Sequence, residues 1–104
     1  MPRLSVALLG QFRVELDGQP ATGFESNKVR ALLAYLVVEA DRLHSRETLA
    51  GLLWPDTPDR SALNNLRSAL SNLRHAIGDQ QAHPPYLLIT RGDVRFNAAS
   101  KYTL

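Results

Sequence analysis

Two short stretches near the start of the chain have the alternation of β-strands. Apolar and polar residues alternate over residues 4–8 and again over residues 12–16, which is the period of a strand with one buried face. Asp17-Gly18 follows the second stretch and favours the tight turn of a hairpin. A third short strand is predicted over residues 19–22. The first segment, residues 4–24, therefore predicts a small antiparallel sheet.

The middle of the chain, residues 26–78, has the period of α-helices, with breaks between them. Ser26 is a typical N-cap residue, and the helix predicted after it has one apolar stripe at helical spacing. That stripe consists of Val29, Leu32, Leu33, Leu36 and Val37. A helix with this pattern packs one face against a core and leaves the other in solvent.

A second, shorter helix is predicted after Ser45, whose hydroxyl can cap it. Trp54-Pro55 ends this helix, because the residue before a proline disfavours the helical conformation. Its expected core face consists of Leu49, Leu52 and Leu53.

The third helix is the longest and is expected to have Thr57 as its N-cap, with Pro58 in its first position. Gly78 is expected to close it. Its apolar stripe, which must pack on the first two helices, consists of Leu63, Leu66, Leu70, Leu73 and Ile77.

The opposite face of the third helix is polar and free of acids. It carries Ser61, Asn64, Asn65, Ser68, Ser71, Asn72 and His75, and one edge carries Arg60, Arg67 and Arg74. No acidic residue occurs between Asp59 and Asp79, so this face can approach phosphates without repulsion. Asparagine and serine bind base edges, and arginine pairs with phosphate or guanine. A solvated surface is the commoner role of such a face, but these features together favour DNA.

A β-hairpin is predicted over residues 86–97, after a polar linker that contains proline. Its apolar residues face each other across the two arms, and they are Leu87 and Ile89 on the first and Val94 and Phe96 on the second. Helix, turn, polar-faced helix and hairpin in this order predict a winged helix-turn-helix of the α+β class. Such a domain places a helix in the DNA major groove and its hairpin, the wing, at the adjacent minor groove.

The tip of the wing carries Arg91 and Gly92. Gly92 is expected to supply the positive φ of a tight turn, and Arg91 is then placed to enter a narrow minor groove. Arg95, on the second arm, is a further candidate DNA contact. Asp93 opposes an approach to phosphates unless its side chain turns away or caps the turn.

The composition and motifs of the chain favour a binding function over catalysis. At 104 residues the chain is expected to form a single domain, and its net charge of +2 permits a nucleic-acid partner without requiring one. The chain has no cysteine, and its three histidines lack the spacing of metal ligands. No phosphate-binding loop or nucleophile motif is present, so neither an enzyme nor a cofactor or metal site is expected. No run is long enough to cross a membrane, and no signal peptide is visible, which favours a cytoplasmic location.

Four stretches of the sequence resemble the N-terminal domain of the AfsR/SARP transcriptional activators. They are residues 9–14 (LGQFRV, followed by Asp17-Gly18), 29–36 (VRALLAYL), 46–56 (RETLAGLLWPD) and 65–74 (NLRSALSNLR). The DNA-binding domain of that family is similar to the OmpR/PhoB winged helix. The resemblance implies an N-terminal sheet, three helices and a C-terminal wing, with the third helix reading the major groove.

The resemblance also implies partners. Relatives bind direct repeats in double-stranded promoter DNA, contact RNA polymerase and continue into a helical activation domain. We therefore expect this domain to bind DNA as a dimer and the chain to be a fragment of a longer regulator. No membrane partner is expected. Leu73-Arg74 matches the Leu-Arg of the response-regulator recognition helix, and Arg91 matches the wing arginine. Ser71 and Asn72 stand where arginines are frequent, which predicts weaker anchoring and another base preference.

One alternative of a different class stays open. Some winged helices are protein-interaction modules that never bind DNA, and a fold does not determine a function. The modest net charge and the absence of arginine at positions 71 and 72 favour this alternative slightly.

Overall fold

The computed structural model describes residues 3–104 and contains, within that range, three α-helices between two small sheets. The N-terminal strands are β1 (Leu4–Ala7), β2 (Arg13–Leu16) and β3 (Gln19–Pro20). The helices are α1 (Asn27–Val38), α2 (Arg46–Leu53) and α3 (Asp59–Ala76), with β4 (His44–Ser45) between the first two. A 3₁₀ turn (Asp79–Gln81) precedes β5 (Leu87–Ile89), β6 (Asp93–Phe96) and β7 (Tyr102–Thr103).

The N-terminal sheet is mixed rather than purely antiparallel. Its order is β3-β2-β1-β7, and β1 pairs with β2 antiparallel, with Val6 opposite Val14. Asp17 and Gly18 both have positive φ, as the predicted hairpin turn requires. β7 then adds a parallel strand beside β1, with Tyr102 opposite Leu4. Two residues give too short a pattern for the sequence to predict this strand.

The three helices bury most of their predicted apolar stripes. Ser26 caps α1 through the amide of Val29, Ser45 caps α2 through the amide of Thr48, and all five stripe residues of α1 are buried. The core face predicted for α2 was partly wrong, because Leu52 is 52% exposed and Ala50 is buried instead. At about 100° per residue, Ala50 and Leu52 flank the line of Leu49 and Leu53 at equal angles on opposite sides, so helical spacing alone does not indicate which of the two is buried.

α3 starts one residue later than predicted. Pro58 is the N-cap, in an extended conformation and without a side-chain cap, and its carbonyl accepts the amide of Ala62. Thr57 is therefore not the cap, and its amide instead donates to the Trp54 carbonyl in the turn. Gly78 closes the helix as predicted, with φ of 65°. The stripe is buried at Leu66, Leu70, Leu73 and Ile77 and half-buried at Leu63.

The wing is part of a second sheet with the order β4-β6-β5. The predicted hairpin register is confirmed, since Leu87 lies opposite Phe96 and Ile89 opposite Val94. β4, directly before α2, adds a third strand that the sequence did not reveal. Phe96 contacts the ring of Tyr102 edge-on, with centroids 4.9 Å apart, and so joins the wing sheet to the N-terminal sheet.

A lysine from α1 completes the end of α2. The Lys28 ammonium donates to the Leu53 carbonyl, one of the acceptors that a helix C-terminus leaves unsatisfied. The same ammonium lies 5.8 Å from the centroid of the Trp54 ring, a cation–π arrangement. α1 therefore supports the start of the turn that leads into α3.

Burial predicts a contrast between two leucines. Leu73→Ala empties a fully buried site on α3 and should lower the free energy of unfolding by about 2–5 kcal/mol. Leu52→Ala removes a half-exposed side chain of α2 and should change it by less than about 0.5 kcal/mol. Urea denaturation followed by circular dichroism measures both. Equal losses in the two variants would contradict this assignment of the core.

Candidate nucleic-acid interface

The exposed side of α3 carries a continuous polar surface. We call it the reading face, and its exposed members are Arg60, Ser61, Asn64, Asn65, Arg67, Ser68, Ser71 and His75. α3 packs its buried leucines against α1 and α2, so these polar residues have to face outward. The structure thus brings together eight of the twelve residues that the sequence proposed as DNA contacts.

Asn72 was predicted as a free reading residue, but the structure uses its side chain to hold the fold. Its Oδ1 accepts the amide of Glu25 at 2.9 Å, and its Nδ2 donates to the Gly23 carbonyl at 2.9 Å. Both partners lie in the segment that joins the N-terminal sheet to α1. The helical pattern placed Asn72 correctly on the polar side but could not show that another segment covers it.

Arg74 also differs from its predicted role as a phosphate contact. Its Nε lies 3.3 Å from Oδ2 of Asp79, a carboxylate that is only 3% exposed. The other oxygen of Asp79 accepts the amides of Tyr86 at 2.8 Å and Leu87 at 3.0 Å. Asp79 therefore ties the last turn of α3 to the start of the wing, and Arg74 belongs to this tie.

The phenol of Tyr86 is buried at the same junction. Burial raises its pKa, the carboxylates of Asp17 and Asp79 raise it further, and Arg3 lowers it. The ordinary pKa of tyrosine is already near 10, so Tyr86 stays neutral at physiological pH. It fills the base of the wing as an uncharged core residue.

The wing tip is closed by a side chain as well as by the backbone. The amide of Thr90 donates to the Asp93 carbonyl at 2.9 Å, and the amide of Asp93 donates to the Thr90 hydroxyl at 3.0 Å. Arg91 and Gly92 are exposed between them. The prediction of a positive φ at Gly92 was wrong, because this hydroxyl-closed turn does not need it.

Arg46, the first residue of α2, reaches the wing tip and was missed in the sequence. Its Nε and Nη2 donate to the Thr90 carbonyl at 3.2 and 2.9 Å, and its backbone amide donates to the Gly92 carbonyl at 3.0 Å. One signal could have found it: a cation in the first turn of a helix opposes the helix dipole, so a partner elsewhere was to be expected.

A groove runs between the reading face and the wing. It is lined by the side chains of Arg46, Arg67, Ser71, Arg74, His75 and Ile89, together with Leu70, Gln80 and Gln81. No carboxylate lines this groove. Arg46 and Arg67 give it a positive charge, while the charge of Arg74 is balanced by Asp79, and this charge suits a phosphate backbone that passes from the helix to the wing.

Glu25 is an acid beside the reading face that the pattern of α3 could not reveal. It lines a second depression with Arg67, Ser68, Ser71, Asn72 and His75. A third depression, near the start of α1, brings Trp54 to Asn65 and Ser68. Residues from outside α3 therefore border the reading face on two sides.

Arg95 lies on the wing strand rather than at its tip. It belongs to β6, opposite Leu88 of β5, and is half-buried, and its Nε has no hydrogen-bond partner among residues 3–104.

The same described residues hold no cluster of three histidine, aspartate or glutamate side chains suited to a metal ion. Their helices also lack the combination of length and hydropathy needed to cross a bilayer.

The comparison with protein families agrees with this geometry. The family described as "Transcriptional regulatory protein, C terminal" matches residues 25–93, from the segment before α1 to the wing. The chain belongs to this family. Membership makes it a DNA-binding domain of a transcriptional regulator, with the OmpR/PhoB-type winged helix. The predicted fold class is thereby confirmed.

One solved structure extends the comparison to most of the chain. EmbR from Mycobacterium tuberculosis, in complex with a low-affinity phosphopeptide, is similar with a TM-score of 0.77 and 31% sequence identity. The match covers 93% of this chain and 26% of the EmbR chain. Because EmbR is a SARP-family regulator, the match confirms the resemblance to that family. Among curated proteins none matches significantly.

The role of Asn72 in this family member can be tested by stability alone. Asn72→Ala removes both hydrogen bonds to the segment before α1 and should lower the free energy of unfolding by about 1–2 kcal/mol. Asn64→Ala makes the same change on the exposed part of the same helix and should change the free energy of unfolding by less than about 0.5 kcal/mol. Thermal denaturation measures both. Equal stability of the two variants would return Asn72 to the reading face.

Proposed function

We propose that this domain binds double-stranded DNA in a sequence-specific manner, with α3 in the major groove and the wing at the adjacent minor groove. The observation that carries the proposal is the continuity of the surface. The reading face joins the groove lined by Arg46, Arg67 and Arg74, and Arg46 bonds to the backbone on both sides of the exposed Arg91. In a winged helix of a DNA-binding family, one strand of a bound duplex would follow this surface from the reading face to the wing.

The reading face supplies two kinds of contact in this proposal. Asn64, Asn65, Ser68 and Ser71 have side chains that can bind base edges, since asparagine pairs with adenine and serine accepts several partners. Arg60 and Arg67 lie along one edge of this face, where phosphates would pass, and Ser61 and His75 complete its polar surface. Asn72 and Arg74 are left out, because their side chains bind Glu25, Gly23 and Asp79.

We propose promoter DNA with direct repeats as the target, bound by two copies of the domain, and RNA polymerase as a protein partner. The support is the resemblance to the AfsR/SARP activators. A duplex selected from a random pool should show whether the half-sites repeat in one orientation. Two successive shifted bands on a two-repeat duplex, and one band on a single repeat, would support the paired arrangement.

Protein binding without DNA is the second candidate, and one observation favours it. Glu25 borders the reading face, and the engagement of Asn72 and Arg74 reduces the free polar groups there. Fluorescence titration of the domain with random-sequence duplex, at two salt concentrations, separates the candidates. A DNA-binding surface loses affinity steeply as salt rises. No measurable binding at the lower salt concentration would favour the protein-interaction module.

Arg67 should act mainly on phosphate. Arg67→Ala should lower the affinity for every duplex tested and reduce the slope of log K against log salt by about one unit. Arg13→Ala is the matched control, because it removes the same charge from an exposed position on the N-terminal sheet. A loss restricted to one sequence would make Arg67 a base-reading residue instead.

Arg91 should act at the minor groove. Arg91→Ala should cost about 1 kcal/mol or slightly more of binding free energy to the selected duplex, which is about a fivefold to tenfold weaker Kd. Its stability should be unchanged, because Arg91 is exposed at the tip. Unchanged affinity in the folded variant would remove the wing arginine from the interface.

A further inference from the structure

The two carbonyls that flank Arg91 are both held by one residue of α2. The Arg46 guanidinium donates twice to the carbonyl of Thr90, and the Arg46 amide donates to the carbonyl of Gly92. Residues 90 and 92 are the chain neighbours of the exposed Arg91. The backbone that carries this arginine is therefore tied on both sides to the start of the helix-turn-helix, 44 residues earlier for the guanidinium bonds.

We infer that Arg46 is a positioning residue for DNA binding, which holds the wing tip so that Arg91 is presented in one orientation relative to the reading face. This inference rests on the proposed role of the wing at the minor groove. A hairpin tip held only by its own turn can move relative to the helices. Holding it before DNA arrives reduces the conformational entropy that is lost on binding.

The chemistry of Arg46 suits this task. A guanidinium presents its donors in a rigid fork, so two bonds to a single carbonyl fix the direction of that carbonyl as well as its distance. The position is otherwise unfavourable for a cation, because the N-terminus of a helix carries partial positive charge. The half-buried side chain lies against the wing rather than extending into solvent.

An alternative interpretation is that Arg46 contacts a phosphate directly, since it also lines the groove with Arg67 and Arg74. The two interpretations predict different combined effects of substituting Arg46 and Arg91 on the affinity for DNA. A positioning residue acts through Arg91, so its effect should largely vanish once Arg91 is removed. A phosphate contact acts by itself, so its effect should be the same with or without Arg91.

The test is a double-mutant cycle on the duplex selected for the wild-type chain. Arg46→Met should weaken the Kd about fivefold to tenfold in the wild-type background, similar to the loss of the wing contact it supports. In the Arg91→Ala background the same change should weaken the Kd by less than about twofold. Arg13→Met, which removes the same charge from the N-terminal sheet, should change neither background. Equal losses in both backgrounds, or no loss in either, would overturn the inference.

A readout that needs no DNA completes the test. Nitrogen-15 relaxation should show higher mobility of the amides of residues 91 and 92 in Arg46→Met than in the wild-type chain and in Arg13→Met. Unchanged mobility would overturn the positioning role. If Arg91→Ala itself leaves DNA affinity unchanged, the wing assignment in the proposed function fails, and this relaxation measurement then decides on Arg46 separately. Arg46→Gln replaces Arg46→Met throughout if the latter does not fold.

Discussion

The candidate interface depends on a carboxylate that is almost completely removed from water. A buried, unpartnered charge would be costly, but Asp79 accepts two backbone amides of the wing and the guanidinium of Arg74. These bonds come from the last turn of α3 and the first residues of the hairpin. They fix the base of the wing on the helix that carries the reading face. Without this joint, the distance between the reading face and the wing would be less well defined.

Two polar side chains that the sequence proposed as DNA contacts instead hold α3 in place. Asn72, on the side opposite the apolar stripe, binds the segment before α1, and Arg74, beside that stripe, binds Asp79. Each of these side chains stabilises the packing of α3 against the rest of the fold, and its polar group is then not free to contact bases or phosphates. The free part of the reading face is consequently narrower than the helical pattern of α3 suggests.

Most features that arise from contacts within a few residues were predictable. The caps at Ser26 and Ser45 and the closure at Gly78 follow from local chemistry, and the Leu87–Phe96 register follows from alternation across a short turn. Two errors were local, since Pro58 rather than Thr57 is the N-cap of α3 and Gly92 lacks a positive φ, but the others came from contacts between distant segments. β7 reaches β1 across nearly the whole chain, Asn72 meets a segment 47 and 49 residues earlier, and Arg46 meets the wing 44 residues later. No periodicity within a helix or hairpin encodes those meetings.

Trp54 gives the domain a built-in optical probe. It is the single tryptophan of the chain, it lies under the Lys28 ammonium, and it shares a depression with Asn65 and Ser68 of the reading face. Indole emission responds to nearby charge and to the polarity around the ring. Because only this one indole emits, a change in its spectrum can be assigned to the place where α1, the end of α2 and the edge of the reading face meet, without any attached dye.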